Sequence, residues 1–319
     1  MTPLGRRLAD EIRRGGPIDI ARFMAICLGD PDHGYYTTRD PLGMAGDFTT
    51  APEISQMFGE MIGLWLAAVW TEGGRPNPFT LAELGPGRGT LMADILRSGG
   101  RVPGFGAAVR LHLVETSPAL RAAQAERLGD RPVWIDTVAD LPTDRPMLVV
   151  TNEFFDALPI RQHVADRGFW RERRVGLDAA EELTLGLAPA QPDPGLSARF
   201  RHVPDGTLVE TCPQAENIAA HLAETIAARG GALLAIDYGD WEGTGDTLQA
   251  LRAHAPDPPL AHPGDADLTA HVGFRWLAEA ARPLRPEFTP QGAFLAALGI
   301  GARAAQLAGD NPDAADSIA

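Results

Sequence analysis

The chain has 319 residues, 45% of them hydrophobic and 22% charged, a composition typical of soluble globular proteins. Its formal net charge of −14 argues against nucleic-acid binding, because phosphate contacts need clustered basic residues. An acidic surface suits a basic peptide or protein partner better. The two cysteines, Cys27 and Cys212, lack CxxC spacing, so we expect neither a disulfide framework nor a metal site. No apolar run approaches the roughly 20 residues of a membrane span. The first residues lack the apolar core of a signal peptide, which predicts a cytoplasmic protein without membrane insertion.

Residues 1–75 are predicted to form an N-terminal helical extension. Apolar residues recur at helical spacing between residues 4 and 28, interrupted at Gly15-Gly16-Pro17, and residues 53–70 form a second, strongly apolar helix. The helix-breaking sequence TEGGRPNP at 71–78 marks the clearest boundary. A second domain is therefore predicted over residues 76–319.

Strand and helix patterns alternate from residue 76 onward. Strands are predicted at 79–84, 109–114, 133–135, 147–151 and 232–236, and helices at 89–97, 118–128 and 218–229. Short apolar strands separated by helices indicate an α/β, Rossmann-like parallel sheet, whose ligands bind beyond the carboxyl ends of the strands. Between about 160 and 210 the sequence predicts an inserted β-hairpin region, and residues 250–319 are predicted to be helical.

A glycine-rich turn follows the first of these strands: Glu83-Leu84-Gly85-Pro86-Gly87-Arg88-Gly89-Thr90. Gly85 and Gly87 permit a tight turn and a close approach of ligand to backbone, and Gly89 opens a helix whose N-terminal amides favour an anionic group. Thr90 replaces the third glycine of a dinucleotide fingerprint, and the lysine of a P-loop is missing. A carboxylate at Glu83 suits a ligand with an ammonium group, such as S-adenosylmethionine. A turn of purely structural role is the alternative.

Two further acids follow the next strands. Glu115 ends the second strand, where a carboxylate can accept hydrogen bonds from both hydroxyls of a ribose; the alternative is that it caps the helix that starts at Ser117-Pro118. Asp136 follows the third strand, where a side chain or backbone group commonly meets adenine; a plain turn aspartate is the alternative.

The fourth strand leads into a turn with the sequence Thr151-Asn152-Glu153-Phe154-Phe155-Asp156. In this architecture the turn faces the group being transferred, and Asn152, Glu153 and Asp156 are the candidate catalytic residues, because carboxylates and an amide can orient a cationic nucleophile. Asn152 is also a candidate contact to the donor. A capped turn with both phenylalanines in the core is the alternative. Similarly, Asp237-Tyr238-Gly239 either lines a substrate pocket or caps a helix.

Seven segments together resemble the MidA-type methyltransferase family, which includes the mitochondrial complex I assembly methyltransferase and its bacterial relatives. They are GDFTTAPEISQMFGE, AELGPGRGTLMADILR, HLVETSPALRAAQ, TNEFFDALPIRQ, LLAIDYG, TLQALRAH and PGDADLTAHVGF, in order over about residues 1–300. The resemblance implies a class I S-adenosylmethionine-dependent fold with an N-terminal helical extension over the site. It also implies a donor pocket lined by N-terminal residues, namely Thr49, Thr50, Pro52, Glu53, Ser55 and Gln56.

The activity that the resemblance implies is methylation of an arginine in a complex I core subunit. The alternatives are a small-molecule O- or N-methyltransferase and a non-catalytic assembly factor that binds the donor. Two departures from the family pattern stand out: Gly273 replaces an aspartate of the relatives, and a further helix and strand are expected after Ala319. For arginine, Glu153 and Asp156 are expected to bind the guanidinium, since carboxylates match its geometry.

Overall fold

The structure, a computed structural model, describes residues 1–38 and 50–310. The helices are α1 (Pro3–Gly15), α2 (Ile20–Gly29), α3 (Tyr35–Thr38), α4 (Ala51–Ile54), α5 (Gln56–Glu72), α6 (Thr90–Gly99), α7 (Phe105–Ala108), α8 (Pro118–Leu128), α9 (Pro194–Arg199), α10 (Pro213–Arg229), α11 (Phe274–Ala280), α12 (Gln291–Ala297) and α13 (Ile300–Asp310). The strands are β1 (Ile18–Asp19), β2 (Phe79–Leu84), β3 (Val109–Val114), β4 (Val133–Ile135), β5 (Met147–Asn152), β6 (Arg161–Asp166), β7 (Phe169–Leu177), β8 (Leu183–Leu187), β9 (Leu208–Thr211), β10 (Gly231–Ile236), β11 (Gly239–Asp240), β12 (Gln249–Arg252), β13 (Ala255–Asp257), β14 (Asp267–Thr269) and β15 (Val272–Gly273).

The chain divides into two compact units. Unit 1 comprises Met1–Phe48, Glu153–Ala220 and Asp237–Ala280; unit 2 comprises Thr49–Asn152, His221–Ile236 and Ala281–Ala319. This division differs from the predicted boundary at residue 75. The apolar helix α5 belongs to unit 2, because Phe58, Ile62 and Leu66 pack in one core with strand residues such as Leu81.

Unit 2 is built around a five-stranded parallel sheet with the order β10-β5-β2-β3-β4. Every residue of β2 is buried, as expected for a strand covered on both faces. The predicted parallel sheet is confirmed, and the predicted bounds of β2, β3, β4 and α8 match the structure. Strand order reverses between β2 and β5, and doubly wound sheets bind ligands at such a switch point.

Helices α5 and α6 pack closely because α5 carries glycines on the facing side. A Cβ at Gly63 would lie 2.1 Å from Ser98 Oγ, and one at Gly59 would lie 2.5 Å from Asp94 Cβ. The carboxylate of Glu60 also binds Arg97 of α6 at 2.6 Å and Arg303 of α13 at 2.7 Å. The predicted helix over 53–70 is interrupted at Ser55, whose hydroxyl accepts a hydrogen bond from Met57 N and starts α5.

Unit 1 contains antiparallel sheets. Strands β1, β7, β6 and β9 are neighbours in that order, and β8 pairs with β7, which confirms the predicted hairpin region between about 160 and 210. Helices α1 and α2 belong to this unit, because Leu4, Leu8 and Phe23 share a core with Val175 of β7 and Leu268 of β14.

The prediction that residues 250–319 are helical is wrong for the first part of that range. Strand β12 pairs with β13 and β14, and helix begins again only at Phe274. The β12–β13 turn consists of Ala253 and His254, both with positive φ (51° and 61°). Such two-residue hairpins usually show Asn-Gly or Asp-Gly, so the sequence lacks the usual signal for this turn.

Among the described residues no helix is long and apolar enough to cross a membrane. Cys27 and Cys212 are both free, as expected.

Candidate functional site

The predicted donor-binding residues of unit 2 follow the carboxyl ends of its parallel strands. The glycine-rich turn follows β2, Glu115 follows β3, Asp136 follows β4, and Asn152 ends β5. Because these strands are parallel, their carboxyl ends share one edge of the sheet. The fold therefore brings together the residues that the sequence placed at this edge.

Left-handed backbone shapes the glycine-rich turn. Gly85, Gly87 and Gly89 have φ values of 62°, 52° and 77°, which residues with a Cβ adopt at a cost. Gly85 N donates to Val114 O, and Gly89 N donates to Pro86 O at 2.8 Å. Gly89 supplies no side chain to cap α6, so the helix N-terminus offers amides to a ligand carboxylate.

Glu83 lies on β2 just before this turn and is only 2% exposed. Its Oε2 has no hydrogen-bond partner among the described residues. Burial raises the pKa of Glu83 to about 8. A buried carboxyl group without a partner fits a cationic ligand, since an ammonium group would satisfy its free oxygen and favour its ionised form.

Glu115 is held at the start of α8. Its Oε1 accepts from Ser117 N at 2.8 Å, and its Oε2 accepts weakly from Gln124 Nε2 at 3.4 Å. The contact to Ser117 agrees with the capping alternative, although the helix cap itself is Ser117, whose hydroxyl faces Leu120 N. Burial raises the pKa of Glu115. The ribose contact stays a prediction.

Gln124 is a residue of this region that the sequence did not reveal. It is fully buried on α8, donates to Gly87 O at 2.6 Å and accepts from Trp134 Nε1 at 2.8 Å. One amide side chain thus fixes the glycine-rich turn and β4 together. The sequence could have indicated Gln124 only as a polar residue on the buried face of α8. The residue pattern of one helix does not show which of its faces is buried.

Asp136 is exposed and forms an ion pair with Arg121, whose Nη2 lies 2.6 Å from its Oδ1. Arg121 Nε also donates to Glu115 O at 2.7 Å. The proposed adenine contact of Asp136 stays a prediction.

Of the N-terminal residues implied by the resemblance, Glu53 contacts the glycine-rich turn, and Thr49 is outside the described residues. Thr50 precedes α4, Pro52 is buried within it, and Ser55 and Gln56 start α5. Thr90 Oγ1 donates to Glu53 Oε1, which connects α4 to the first residue of α6.

In unit 1, Asp237 organises the turn after residue 152. Its Oδ2 accepts from the amides of Phe154, Phe155 and Asp156 at 3.2, 2.9 and 3.3 Å. Its Oδ1 accepts from Tyr238 N at 3.0 Å. Glu153, at the start of the turn, has a left-handed φ of 50°. Asp237 therefore stabilises this turn, and its place in a substrate pocket stays a prediction.

Asp156 lies in a buried acidic group with Asp237, Tyr238, Tyr36 and Asp267. Asp156 is 4% exposed, and its Oδ1 has no hydrogen-bond partner among the described residues. Tyr36 OH donates to Asp267 Oδ1 at 2.8 Å. Burial raises the pKa of Asp156, and burial together with the charge of Asp156 raises the pKa of Asp237 to about 8. Phe155 is buried, as its core alternative predicted.

The arginines of the hairpin region are mostly paired. Glu172 binds Arg161 and Arg174, and Arg173 binds Asp246 at 2.7 Å. No group of three or more metal-ligating side chains occurs within residues 1–38 and 50–310.

Comparison with known proteins identifies the chemistry of this architecture. The model of a family described as "Putative S-adenosyl-L-methionine-dependent methyltransferase" matches residues 61–287. The protein arginine methyltransferase NDUFAF7, mitochondrial, of Mus musculus is 37% identical over 95% of this chain and 76% of its own length. The corresponding protein of Homo sapiens is 36% identical over 95% of this chain and 75% of its own length.

The fold is also similar to a crystal structure of a Burkholderia thailandensis protein bound to S-adenosyl-homocysteine. The TM-score is 0.84 and the identity 26%, over 99% of this chain and 85% of that one.

Proposed function

This chain belongs to the family of S-adenosyl-L-methionine-dependent methyltransferases, and on that premise we propose that it methylates an arginine side chain of a protein. The relatives from Mus musculus and Homo sapiens are named as protein arginine methyltransferases and align over most of both chains. Family membership fixes the donor, and the acceptor is the proposed part.

The donor supplies an electrophilic methyl group on a sulfonium when it is bound. In unit 2, Glu83 would hold the donor's ammonium group, because its buried Oε2 otherwise has no partner among the described residues. The amides at the start of α6 would hold the donor's carboxylate, and Glu115 would accept from its ribose hydroxyls. Asp136 and the segment from Thr50 to Gln56 complete the residues that we assign to the donor.

The observation that carries the arginine proposal is the free Oδ1 of buried Asp156. Asp156 and Asp237 form no ion pair with an arginine in the part of the chain that the structure describes. Burial raises the pKa of Asp237, and repulsion from the neighbouring Asp156 carboxyl group, which has no counter-ion among the described residues, raises it further. A guanidinium ion would remove that repulsion and satisfy the free oxygen.

A guanidinium also matches these carboxylates in shape. Its planar donors pair with carboxylate oxygens in a fixed geometry, which a lysine ammonium does not reproduce. Glu153 and Asp156 are the residues that we assign to acceptor binding. They orient the nucleophilic nitrogen and stabilise its charge, and do not act as strong bases, because guanidinium is so weakly acidic.

Methyl transfer from labelled donor into protein, followed by mass spectrometry of the modified residue, tests the proposal. We expect methylated arginine. Glu153→Gln should abolish transfer while donor affinity, measured by calorimetry, changes less than about twofold. Glu182→Gln, an exposed acid in unit 1, is the matched control. A methyl group found on another residue type, or only on a small molecule, would contradict the arginine assignment.

The specific substrate that we propose, on the sequence resemblance, is a core subunit of respiratory complex I. The place of action that we propose is the cytoplasm. Purified complex I core subunits, offered one at a time with labelled donor, test the first. Transfer to other proteins but to none of these subunits would leave the arginine proposal standing and remove complex I as its target.

A further inference from the structure

A cleft within unit 1 has no role in the chemistry described so far. It lies between the start of α10, the β15–α11 corner and the turn that contains Phe155. Its apolar wall consists of Phe155, Ile160, Ala215, Ala270 and Leu277. A surface of this kind suits an aliphatic or aromatic side chain.

The cleft adjoins the carboxylate that we assign to the acceptor. Phe155 directly precedes Asp156 in the chain, and Ala270 N donates to the backbone oxygen of Asp156 at 2.9 Å. One extended residue spans about 3.3–3.6 Å, so residues that flank an arginine bound at Asp156 are within reach of the cleft that Phe155 lines.

The acids at the cleft are already satisfied within the protein. Glu216 forms two hydrogen bonds with Arg199, at 2.9 and 3.2 Å. Glu210 accepts from Gln162 Nε2 at 2.7 Å, from Thr247 N at 3.0 Å and from the Thr247 hydroxyl. The cleft therefore favours a neutral group over a second basic side chain.

One polar atom at the cleft is not satisfied. Trp276 is 7% exposed, and its indole Nε1 has no hydrogen-bond partner among the described residues. Nε1 lies on the side of Gly243 and Gly273, which both line the cleft; a Cβ at either glycine would come within 3.6 Å of it. An indole N–H only donates, so the missing partner is an acceptor such as a carbonyl oxygen.

Neighbouring groups hold the indole ring in place. Phe200 packs edge-on against it with ring centroids 5.3 Å apart, and the Arg199 guanidinium lies 4.1 Å above the ring centroid. Because Glu216 fixes Arg199, the direction of the indole N–H is set before any ligand arrives. A donor that is oriented in advance loses little freedom on binding.

We propose that this cleft binds the substrate polypeptide beside its acceptor arginine, receiving an apolar side chain against Phe155 and Leu277 and a main-chain carbonyl at Trp276 Nε1. This inference rests on the proposed function, because the position of the cleft along the substrate is defined relative to the acceptor arginine. Gly273 keeps the approach to the indole open, since a Cβ there would lie 2.9 Å from Trp276 Cδ1.

The probe is an array of nonapeptides with a central arginine or a central lysine, in which each other position carries Leu, Asp or Gly in turn. Binding of the full chain is measured with donor present. We expect one flanking position at which Leu binds about tenfold better than Asp. Gly273→Ala, which narrows the cleft, should reduce that preference at least threefold. Trp276→Phe, which removes the donor to the main-chain carbonyl, should weaken the binding of all peptides with the preferred residue at least threefold.

Gly186→Ala is the matched control, because an added Cβ there meets nothing within 4 Å. Thermal melting of each variant shows whether unit 1 stays folded. Trp276→Phe also shrinks a buried ring that packs against Phe200 and Arg199, so its melting temperature should fall by a few degrees. Weaker peptide binding by a variant that stays folded at the assay temperature supports the cleft.

Two failures can be told apart. If the flanking preference exists but a central lysine binds as well as arginine, the cleft stands and the arginine proposal fails. The cleft proposal is overturned and the arginine proposal stands if central arginine is required but no flanking position shows a preference. The same holds if Gly273→Ala keeps the preference, or if Trp276→Phe binds the peptides as tightly as the wild type does.

Discussion

The two units bury acidic side chains in different ways. In unit 2, Glu83 is a single buried carboxyl group, and burial alone raises its pKa to about 8. In unit 1, Asp156 and Asp237 are neighbours, so the charge of one adds to the effect of burial on the other. Both arrangements leave a carboxylate oxygen unsatisfied among the described residues, Oε2 of Glu83 and Oδ1 of Asp156.

This difference distinguishes two kinds of cation site. A single buried carboxyl group takes up or releases one proton as its ligand leaves or arrives. A pair shares its protons, and a cation with several donors can serve both members. An ammonium group suits the first arrangement and a planar guanidinium suits the second, which is why we assign the donor to Glu83 and the acceptor to Asp156.

The largest expected effect comes from breaking the pair at Asp156. Asp156→Asn should lower kcat/KM for an arginine substrate about 100-fold, since losing one partner of a buried charge pair costs roughly 2–5 kcal/mol. Steady-state kinetics with a protein substrate measures the loss, and calorimetry should show unchanged donor affinity. Asp32→Asn, an exposed acid of unit 1, is the control. A loss of less than about threefold would show that Asp156 does not bind the acceptor.

The next effect comes from Asp237, which holds the turn. In Asp237→Asn, an NH₂ group stands in for one oxygen and cannot accept from amides, which should destabilise the protein by about 2 kcal/mol and lower Tm by roughly 5 °C. Because the pKa of the Asp237 carboxyl is higher in the folded protein than in the unfolded chain, protonation of this group stabilises the folded state. Its stabilising contribution is complete below the unfolded pKa, near 3.8, and is lost as pH rises through about 8. Thermal melts from pH 4 to 9 should show a smaller fall of Tm with pH in the variant than in the wild type, because Glu83 and Asp156, whose pKa values burial also raises, keep their part of the slope.

Prediction from sequence succeeded for unit 2 because each strand there is a short apolar run next to a glycine or an acid. Phe79–Leu84 and Val109–Val114 have this form, and the acids after them were found by position alone. In unit 1, strands of two to four residues such as Val272–Gly273 carry too little periodicity to be recognised. Local patterns describe elements that are buried on both faces better than brief pairings that depend on distant segments.

The candidate site shows the same limit. Glu83 was predicted because it precedes the glycine-rich turn, and Glu115 and Asp156 because each follows a strand. Tyr36 and Asp267, which are hydrogen-bonded across 231 residues of sequence, were not, and neither was Gln124. Their roles depend on which helices and strands pack together, and one sequence does not reveal that packing.

The pH dependence of donor affinity tests whether Glu83 is the single buried carboxyl group that binds the donor. If an ammonium group binds the ionised form, binding releases a proton, and donor affinity rises with pH up to about 8 and then levels off. Glu83→Gln should bind the donor about tenfold more weakly at pH 8 and show no such rise. Calorimetry in two buffers of different ionisation enthalpy counts the protons released. Glu126→Gln, exposed on α8, is the control. A proton count of zero for the wild type would contradict the ammonium contact.

The smallest effect is expected at Asp136, an acid of unit 2 that is neither buried nor unpaired. Its side chain is 74% exposed and bound to Arg121, so any hydrogen bond that it makes to adenine forms in contact with water and contributes about 0.5–1 kcal/mol. Asp136→Asn should therefore raise the donor Kd about threefold, with Tm nearly unchanged because exposed ion pairs contribute little. Asp130→Asn, an exposed acid between α8 and β4, should leave the Kd as it is. An equal Kd for both variants would show that Asp136 is a plain turn aspartate. Of the acids that follow or end the strands of unit 2, only the buried Glu83 and Glu115 would then stay as proposed donor contacts.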